Sequence, residues 1–487
     1  MSSTRSGLQI GEKAFFSAVI ILFILMITAG IMTRTIPSGS YQRKLFQGRE
    51  IVVPGSYRPE EKKILPVYRW FTAPFEVLWG NDSLTVDTII LLLILISGAF
   101  YILEQGGILK AVLDSIVRRF KSRKYLLMAI TIFFFMFVAA VMGIYESMVP
   151  MIVIIVPLSF ALGWDSLTGL GMSLLPMAFG FASSITNPFT IGVAQKIAGL
   201  PVFSGAWLRI IFFFTVYTVV LLFVRHYARK VEITPEKSLV YKEDADIRRE
   251  LEQNQSKGEL PSLENIPGMK PAVKWVAVWI ILAVILVLAS SQIESIAFLA
   301  FPIMGFLFFI AGVGAGLLRK MSIGTIAGIF VKGIIAILPA IFLIMLAMSV
   351  KYIVTLGGIM DTILFNASEV IKGTPPFFAA LLIYLVTMFM NFFIGSASAK
   401  AFLMMPILAP LSDLVGITRQ TAVLAFDFGD GFSNMLYPSN ALLIIALGFT
   451  VVSYPKWIRW TIPLQILMLI LTVFFLFIAV AVHFGPF

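Results

Sequence analysis

Long apolar runs are the feature that most constrains how this chain can fold. Residues 14–31 and 84–103 are two such runs, and others of similar length recur up to the C-terminus. A helix needs about 20 mainly apolar residues to cross the hydrocarbon core of a bilayer. Of the 487 residues, 59% are hydrophobic and only 13% are charged, whereas soluble domains average about 25% charged residues. The pattern excludes a soluble enzyme and predicts an all-α integral membrane protein, because a helix pairs its own backbone polar groups in lipid.

Charge and the scarcity of reactive residues exclude further classes of protein. The chain has no cysteine and only two histidines, His226 and His483, so we expect neither thiol chemistry nor a resident cofactor. The net charge of +11 is attributed to Lys and Arg in cytoplasmic loops, with the lipid bilayer rather than nucleic acid as the partner. Arg5 and Lys13 precede the first run and favour a cytoplasmic N-terminus, and that run is interpreted as a retained helix rather than a signal peptide.

Hydrophilic segments divide the chain into four parts. Residues 1–82 hold the first helix and an extracellular or periplasmic segment, and residues 83–230 form the first of two repeats. Residues 231–272 are interpreted as a cytoplasmic linker, because they are the long hydrophilic stretch in the middle of the chain. Residues 273–487 form the second repeat with an extra span.

Amphipathic spacing predicts one interfacial helix in each repeat, at residues 108–124 and 351–372. Three spans lie before the second of these helices, at about residues 275–288, 296–318 and 334–350. A last span is predicted at about residues 461–482.

Two long apolar regions, about 125–162 and 376–411, are each interrupted by a polar tip. The tip residues are Glu146 and Ser147 in the first region and Ser396, Ser398 and Lys400 in the second. Each region is either two full crossings joined by a short loop or a re-entrant hairpin. The polar tips favour the hairpin, because irregular polar backbone at membrane depth is tolerated where it lines a cavity.

Two further apolar regions, about 167–197 and 418–447, carry the pattern of a helix that breaks inside the membrane. The first contains Asn187-Pro188, and proline interrupts a helix because it lacks the backbone donor. The second contains Asp427 and Asp430 among glycines, with Pro438 further on. Broken helices with polar residues at the midplane are typical of secondary transporters.

The two halves of the chain match each other at offsets of 247 to 253 residues. The matched pairs include Gly143 with Gly395, Pro157 with Pro410, Gly163 with Gly416, Phe179 with Phe426, Asn187 with Asn434, Trp207 with Trp457 and Arg209 with Arg459. Basic clusters place the two halves in opposite orientation. A re-entrant hairpin and two full crossings both return the chain to the side of the membrane on which it started. The charges alone therefore do not distinguish the hairpins from double crossings. We predict inverted structural repeats with two re-entrant helical hairpins and two broken transmembrane helices.

Several motifs resemble the DcuC/YfcC-type carriers of the ion transporter superfamily. They are residues 181–184, 187–189 and 193–195 in the first half, and 406–411, 419–420 and 428–432 in the second. The likeness spans nearly the whole chain and is to the YfcC branch, whose members are described as basic amino acid antiporters; other branches carry C4-dicarboxylates or short-chain fatty acids. The resemblance implies hairpins and broken helices that meet at a central site, often in a homodimer with elevator-like motion, in a bacterial inner membrane.

Polar residues at the breaks and tips are the candidate substrate site. The predicted substrate-binding residues are Ser183, Ser184, Asn187, Ser396, Ser398, Lys400, Asn434, Ser439 and Asn440. Helix N-termini there can face a substrate carboxylate. Ordinary helix packing by Ser and Thr is the alternative. Lys400 either holds a carboxylate or extends to the extracellular interface.

Acidic and hydroxyl side chains at the same places are the candidates for ion coupling. They are Glu146, Ser147, Thr186, Asp427, Asp430 and Ser433, with a Na+ site expected near Thr186, Asn187 and Asp430. A carboxylate in hydrocarbon is costly and is normally paired or faces water. Asp430 could be a Na+ ligand, a proton acceptor or the partner of a cationic group. Asp427 either joins it or is solvated at a vestibule, and Glu146 and Lys400 could form an opposed pair.

These features predict a secondary active transporter for a small carboxylate-bearing metabolite, such as an amino acid or a C4-dicarboxylate, coupled to Na+ or H+ or working by exchange. No Gly-Lys-Ser/Thr motif occurs, which argues against an ATP-driven pump. A channel and an intramembrane enzyme or sensor are the rival functions. Steady conductance without saturation would favour the channel, and a buried acid–base pair would favour the enzyme.

Overall fold

The described part of the chain is mostly helical. The computed structural model describes residues 12–46, 49–62, 64–80, 83–249, 266–290 and 300–485. Within these residues, eight helical segments are long and apolar enough to cross a membrane, by length and composition. Large apolar side chains on them, such as Phe16, Ile20 and Phe474, are exposed, which suits helices that face lipid.

Nine principal helices make up the described part of the first half. They are α1 (Glu12–Thr35), α2 (Tyr68–Glu76), α3 (Ser83–Gln105), α4 (Ile108–Phe120), α5 (Lys124–Met142), α6 (Ile152–Ala161), α7 (Ser166–Ser183), α8 (Val193–Ile197) and α9 (Ala206–Ile233). Short 3-10 turns occupy Lys121–Arg123, Glu146–Met151 and Pro235–Lys237, and a π turn occupies Pro188–Gly192.

The principal helices of the second half follow the same order after two additional spans. They are α10 (Met269–Ser290), α11 (Ala300–Leu318), α12 (Ile323–Leu356), α13 (Met360–Lys372), α14 (Pro376–Asn391), α15 (Ala397–Leu414), α16 (Arg419–Gly431), α17 (Ala441–Gly448) and α18 (Tyr454–Ala481), with a 3-10 turn at Phe432–Met435 after α16. In both halves an amphipathic 13-residue helix, α4 or α13, precedes a helical pair, an interrupted helix and a long last helix.

The helices pack in two groups. α3 and α12 pack on each other, α11 packs against α3, α1 and α2 pack against α12, and α10 packs against α11. In the second group α7 packs against α5, α6 and α9, and α16 packs against α14, α15 and α7. α7 is buried along its whole length, and so is α16 beyond Arg419. The two interrupted helices therefore form the centre of the second group.

Side-chain caps begin several of these helices. Asp165 caps α7 and accepts from the Thr168 N–H, and Ser322 caps α12 and accepts from the Thr325 N–H. The caps of α15 and α16 are Ser396 and Thr418. Such caps supply acceptors for the first N–H groups of a helix, which have no partner inside it.

An extramembrane cap follows α1 and contains the strands of the described chain. β1 (Gly39–Ser40) pairs with β4 (Arg58–Pro59), and β2 (Arg43–Phe46) pairs with β3 (Arg49–Val52), both antiparallel. Asp361 of α13 accepts from the Tyr41 N–H at 2.9 Å and forms an ion pair with Arg43 at 3.1 Å. The all-α prediction missed these two small sheets, whose strands are too short to show a clear alternation.

Helix ends differ from the predictions in several places. α12 has 34 residues, twice the predicted span, so residues 351–356 continue it and only Met360–Lys372 forms a separate amphipathic helix. The last helix begins at Tyr454 rather than near residue 461. Hydropathy marks the part of a helix inside lipid, whereas its polar ends continue into the interface.

Candidate functional site

The first break separates α7 from α8. Ser184 directly follows α7 and has a φ of +28°, which is uncommon for a residue with a Cβ. Asn187 caps the turn beyond it, because its Oδ1 accepts from the N–H groups of Phe189 at 2.9 Å and Thr190 at 3.2 Å. The chain between α7 and this cap is irregular, so its main-chain groups need partners from elsewhere.

The turn between α5 and α6 lies against this break. Gly143 ends α5 with a φ of +69°, and a Cβ there would lie 2.1 Å from the Asn187 Oδ1. Thr186 is bonded to the same end of α5, with its hydroxyl donating to the Val141 carbonyl at 3.0 Å and its N–H to the Ala140 carbonyl at 3.2 Å. Only glycine allows this approach, so the predicted tip and the predicted break meet.

The second break separates α16 from α17. The 3-10 turn Phe432–Met435 extends α16, and Asn440 then caps α17 by accepting from the Leu442 N–H at 2.9 Å. Ser439 donates to the Phe392 carbonyl, in the turn between α14 and α15, at 2.7 Å. Each break thus has an asparagine cap and a bond to the neighbouring helical pair.

These caps correct the register of the sequence match. Asp165 and Thr418 cap the starts of α7 and α16, and Asn187 and Asn440 cap the restarts. Both pairs are 253 residues apart. The caps at the two restarts therefore pair Asn187 with Asn440, whereas the sequence match paired Asn187 with Asn434, six residues earlier. The match followed residue identity, whereas capping depends on where the helix starts.

A buried ion pair lies beside the second break. The Lys400 ammonium, from the first turn of α15, forms an ion pair with the Asp430 carboxylate on α16. Both side chains have 0% exposure. The same ammonium donates to the Asn391 Oδ1 at the end of α14. The sequence alternative in which Lys400 extends to the surface is therefore wrong, and its observed partner is Asp430.

Amide and hydroxyl groups extend this cluster towards the α17 cap. The Asn391 Nδ2 lies 2.7 Å from the Ser433 hydroxyl and 3.0 Å from the Asn434 Oδ1. The Asn434 Nδ2 donates to the Asp430 carbonyl at 3.0 Å, and the Asn440 Nδ2 donates to the Asn434 Oδ1 at 2.8 Å. One network therefore joins the ion pair to the restart of the broken helix.

Two further buried residues of opposite formal charge belong to the region of the first break. Asp427 on α16 is fully buried, and neither of its carboxylate oxygens accepts a hydrogen bond within the described structure. The nearby positive charge is that of Arg209, on α9, which acts on this carboxyl group electrostatically. Arg209 is also fully buried. The sequence alternative of a solvated Asp427 is wrong in this conformation.

The formal charges of these four side chains cancel. Lys400 and Arg209 carry two positive charges, and Asp430 and Asp427 carry two negative ones. All four side chains are fully buried, and a buried charge is strongly destabilising without a partner. A charged ligand that entered this region would have to replace one of these side chains as the partner of another, for example Asp430 as the partner of Lys400. The cluster can therefore respond to a ligand carboxylate, an amine or a coupling ion.

The hydroxyl residues at the breaks and tips have different surroundings. The Ser183 hydroxyl donates to the Phe179 carbonyl at 2.8 Å and the Ser184 hydroxyl donates to the Phe181 carbonyl, as helix-packing serines do. Ser396 is exposed, and its hydroxyl lies 3.4 Å from that of Ser398. Ser147 is buried, and the side chain of Glu146 lies outside the described residues. The expected partnership of Glu146 with Lys400 stays a prediction.

Two residues of the cluster were missed by the sequence reasoning. Asn391 closes an apolar helix, and Arg209 lies among apolar residues near the start of α9. A polar or charged side chain inside an apolar run was the available signal for both. In the sequence match Arg209 corresponds to Arg459, but Arg459 is exposed whereas Arg209 is buried.

A further acidic cluster joins the linker to the start of α7. The Asp165 Oδ2 accepts from the Tyr227 hydroxyl at 2.8 Å and the Ser238 hydroxyl at 2.7 Å. Asp244 accepts from the Ser166 N–H at 3.1 Å. Burial, and secondarily the nearby Asp165 charge, raises the pKa of Asp244 to about 7. The linker is thus held to α7 by a carboxyl group that titrates near neutrality.

Comparison with known proteins shows the family. The family described as "DcuC: C4-dicarboxylate anaerobic carrier" matches residues 15–481. An Escherichia coli (strain K12) protein named "Putative basic amino acid antiporter YfcC" is 32% identical over 94% of this chain and 95% of its own length. The chain belongs to the DcuC family. The resemblance inferred from the sequence motifs is confirmed. This DcuC-family chain is a multi-pass membrane transporter, since its family and that relative are transporters and not enzymes.

Other relatives of this DcuC-family chain are more distant. A Haemophilus influenzae protein is 24% identical over 92% of this chain and 94% of its own length. The solved structure of the Alcanivorax borkumensis YdaH transporter is 16% identical, with a TM-score of 0.42 over 97% of this chain and 100% of that one. The structure of Neisseria gonorrhoeae MtrF, described among antimetabolite efflux pumps, is 16% identical, with a TM-score of 0.41 over 96% and 95%.

Proposed function

We propose that this chain is a secondary active transporter that moves a small carboxylate-bearing metabolite, such as an amino acid or a C4-dicarboxylate, coupled to Na+ or H+ or by exchange. The observation that carries the proposal is the buried Lys400–Asp430 pair beside a helix break, bonded to Asn391. Such a pair offers an ammonium to a carboxylate and a carboxylate to an amine, so an amino acid would engage both groups. Membership of the DcuC family supports this class of substrate.

The proposed site includes both breaks and both tips. The substrate-binding residues are proposed to be Ser183, Ser184, Asn187, Ser396, Ser398, Lys400, Asn434, Ser439 and Asn440, and the ion-coupling residues Glu146, Ser147, Thr186, Asp427, Asp430 and Ser433. Contacts support the grouping, because Gly143 lies against Asn187 and Ser439 is bonded to the turn between α14 and α15. A substrate held between the two turns would be released when one of them moved away.

The proposed architecture is a pair of inverted repeats with re-entrant hairpins, α5–α6 and α14–α15. The 253-residue register supports it, because Phe179 and Phe432 are equivalent in that register and their ring centroids are 5.1 Å apart. Equivalent residues meet in this way where a two-fold axis relates two elements.

The proposed mechanism is an elevator-type alternating access. The group α5–α9 with α14–α18 would move against the group α1–α3 with α10–α12, carrying the site past it. The packing of the helices in two groups supports this division. The coupling ion has to bind the two end states with different affinity. We place the chain in the bacterial inner membrane as a homodimer with a cytoplasmic N-terminus.

Uptake assays with the purified protein reconstituted in proteoliposomes test the proposal. Amino acids and C4-dicarboxylates are screened with and without a Na+ or H+ gradient, and at least one is expected to accumulate with saturation. Asp430→Asn and Asn187→Ala should each lower its uptake at least tenfold, and size-exclusion profiles restrict the comparison to folded protein, because Asp430→Asn leaves Lys400 without its partner. Asp413→Asn is the matched control, because Asp413 is exposed and pairs with Arg419 at the surface.

Two results would contradict the proposal. Undiminished uptake in both site variants would remove the site assignment. Conductance that rises without saturation, and without accumulation against a gradient, would favour a channel instead of a carrier.

A further inference from the structure

The guanidinium of Arg209 fills the first helix break. It donates to two carbonyls of the break, from Nε to Ser184 at 2.9 Å and from Nη2 to Ile185 at 3.1 Å. It also donates to the carbonyls of Ser204 at 2.9 Å and Phe203 at 3.3 Å in the connection that precedes α9. Four main-chain oxygens therefore converge on one fully buried cation.

Carbonyls released at a helix break are the groups that hold coupling cations in secondary transporters, because they can replace the water shell of Na+. A guanidinium supplies the same positive charge through five fixed N–H donors, and it is not deprotonated in proteins. The carbonyls of Ser184 and Ile185 are already engaged by Arg209. A sodium ion that shared these carbonyls would lie against the guanidinium and be repelled by its charge, so it would bind well only if that side chain moved away.

We infer that Arg209 is a tethered cation that takes the position of a coupling sodium ion at the first helix break, so that this break operates without Na+. The inference rests on the proposed transport function and narrows its choice of coupling ion. Arg209 is a positioning residue, since it acts through the main chain of the break and through Asp427.

The charges around the break support this assignment. Asp427 is fully buried, and its charge is the one that acts on the Arg209 guanidinium. Its charged neighbour on α16, Asp430, pairs with Lys400, and α7 and α14 contain no charged residue. A sodium ion added to the four balanced charges would leave a buried net charge of one unit, which is unfavourable at low dielectric.

The second break has a tethered cation of its own in Lys400. Its ammonium bonds the Asn391 amide oxygen and pairs with Asp430. Arg209 comes from α9 and Lys400 from α15, so the two cations do not arise from equivalent positions of a repeat. The two breaks are therefore neutralised by basic side chains from different helices.

Thermal unfolding of the purified full chain in detergent tests the inference without any substrate. NaCl is compared with choline chloride at equal ionic strength. The unfolding midpoint of the wild type is expected to be the same in both salts. Arg209→Gln removes the positive charge near Asp427 and should unfold at a lower temperature than the wild type. Its unfolding midpoint should rise with Na+ concentration, because a ligand that binds only the folded state stabilises it.

Arg419→Gln is the matched control. Arg419 also donates to a main-chain carbonyl, that of Ala198 at 2.8 Å, but is partly exposed and pairs with Asp413. Its midpoint should stay insensitive to Na+. Arg209→Lys, which keeps the charge, should also stay insensitive, whereas a purely structural arginine would predict no Na+ response in any variant.

The inference is overturned if Na+ stabilises the wild type and Asp427→Asn abolishes that stabilisation. It is equally overturned if Arg209→Gln folds and shows no Na+ response. Should Arg209→Gln fail to fold, the wild-type and Asp427→Asn measurements decide. Failure of the transport function would appear instead as the absence of any saturable uptake, in either salt.

Discussion

Lys400 and Asp430 show what a charged pair costs inside a membrane protein. Both side chains are fully buried, whereas the Arg419–Asp413 pair is 37% and 49% exposed. A buried pair is not intrinsically stabilising, but removal of one partner leaves a charge without compensation. An exposed pair loses little, since water screens both charges.

Neutralising one side of the buried pair is therefore expected to be severe. Lys400→Met should lower the free energy of unfolding by about 3–5 kcal/mol, as measured by tryptophan fluorescence in detergent. The double variant Lys400→Met/Asp430→Asn should recover most of the loss and still fail to transport. Asp413→Asn should cost less than about 1 kcal/mol. Equal losses in Lys400→Met and Asp413→Asn would show that the pair is not desolvated in solution.

At the scale of elements, glycines bring the broken helices close to their partners. A Cβ at Gly180 of α7 would lie 2.1 Å from the Met136 carbonyl oxygen of α5, and one at Gly429 of α16 would lie 2.5 Å from the Tyr384 carbonyl oxygen of α14. The obstacle in both cases is backbone, which cannot move aside as a side chain can. Small residues of this kind allow close helix packing in membranes.

Gly180→Ala should consequently separate α7 from α5. We expect a loss of about 1–3 kcal/mol, the usual cost of overpacking a core, together with reduced uptake. Gly328→Ala is the control, since Gly328 lies on exposed α12 surface with no atom within 4 Å of the added Cβ. The unfolding midpoints of the two variants provide the measurement, and a control as destabilised as Gly180→Ala would refute the packing argument.

For the whole molecule, the linker connects the two halves through two acidic side chains, of which Asp244 is buried and Glu243 is partly exposed. Asp244 bonds the start of α7 in the first half, and Glu243 forms an ion pair with Lys456 of α18 in the second. The pKa of Asp244 is raised to about 7 from an ordinary 3.8. Because the docked linker binds this proton more tightly than the free linker, docking is strongest at low pH and weakens as pH rises from about 4 to about 7. Above the raised pKa it should stay constant.

A spin label can follow this docking, because the chain has no cysteine of its own. Lys242 is exposed beside the cluster, so a label at Lys242→Cys should become more mobile as pH rises from about 4 to about 7. Asp244→Asn, which keeps an acceptor oxygen for Ser166, should remove this dependence. The facing groups are Asp165 and Arg248, and a pH response that persists in Asp244→Asn would assign the titration to another group.

The order of helices was predictable because it depends on local sequence. Apolar length marks the spans, and Asn187-Pro188 marks a break, since each signal acts within a few turns of one helix. The same locality explains the polar residues at depth, including Lys400 and Asp430, because any such residue in an apolar run is costly and therefore conspicuous. Family membership followed from motifs of the same short range.

The pairings were decided only by the tertiary structure. Residues that are distant in sequence decide three of these questions. They decide whether Lys400 extends to the surface or pairs with Asp430, which asparagine caps the second break, and which carbonyls Arg209 binds. A side chain in hydrocarbon must find a partner, but hydropathy does not say which one. By itself, therefore, the sequence determined that this chain crosses a membrane with interrupted helices that carry charged residues, and the packing of those helices determined which of these residues are buried and which neutralise each other.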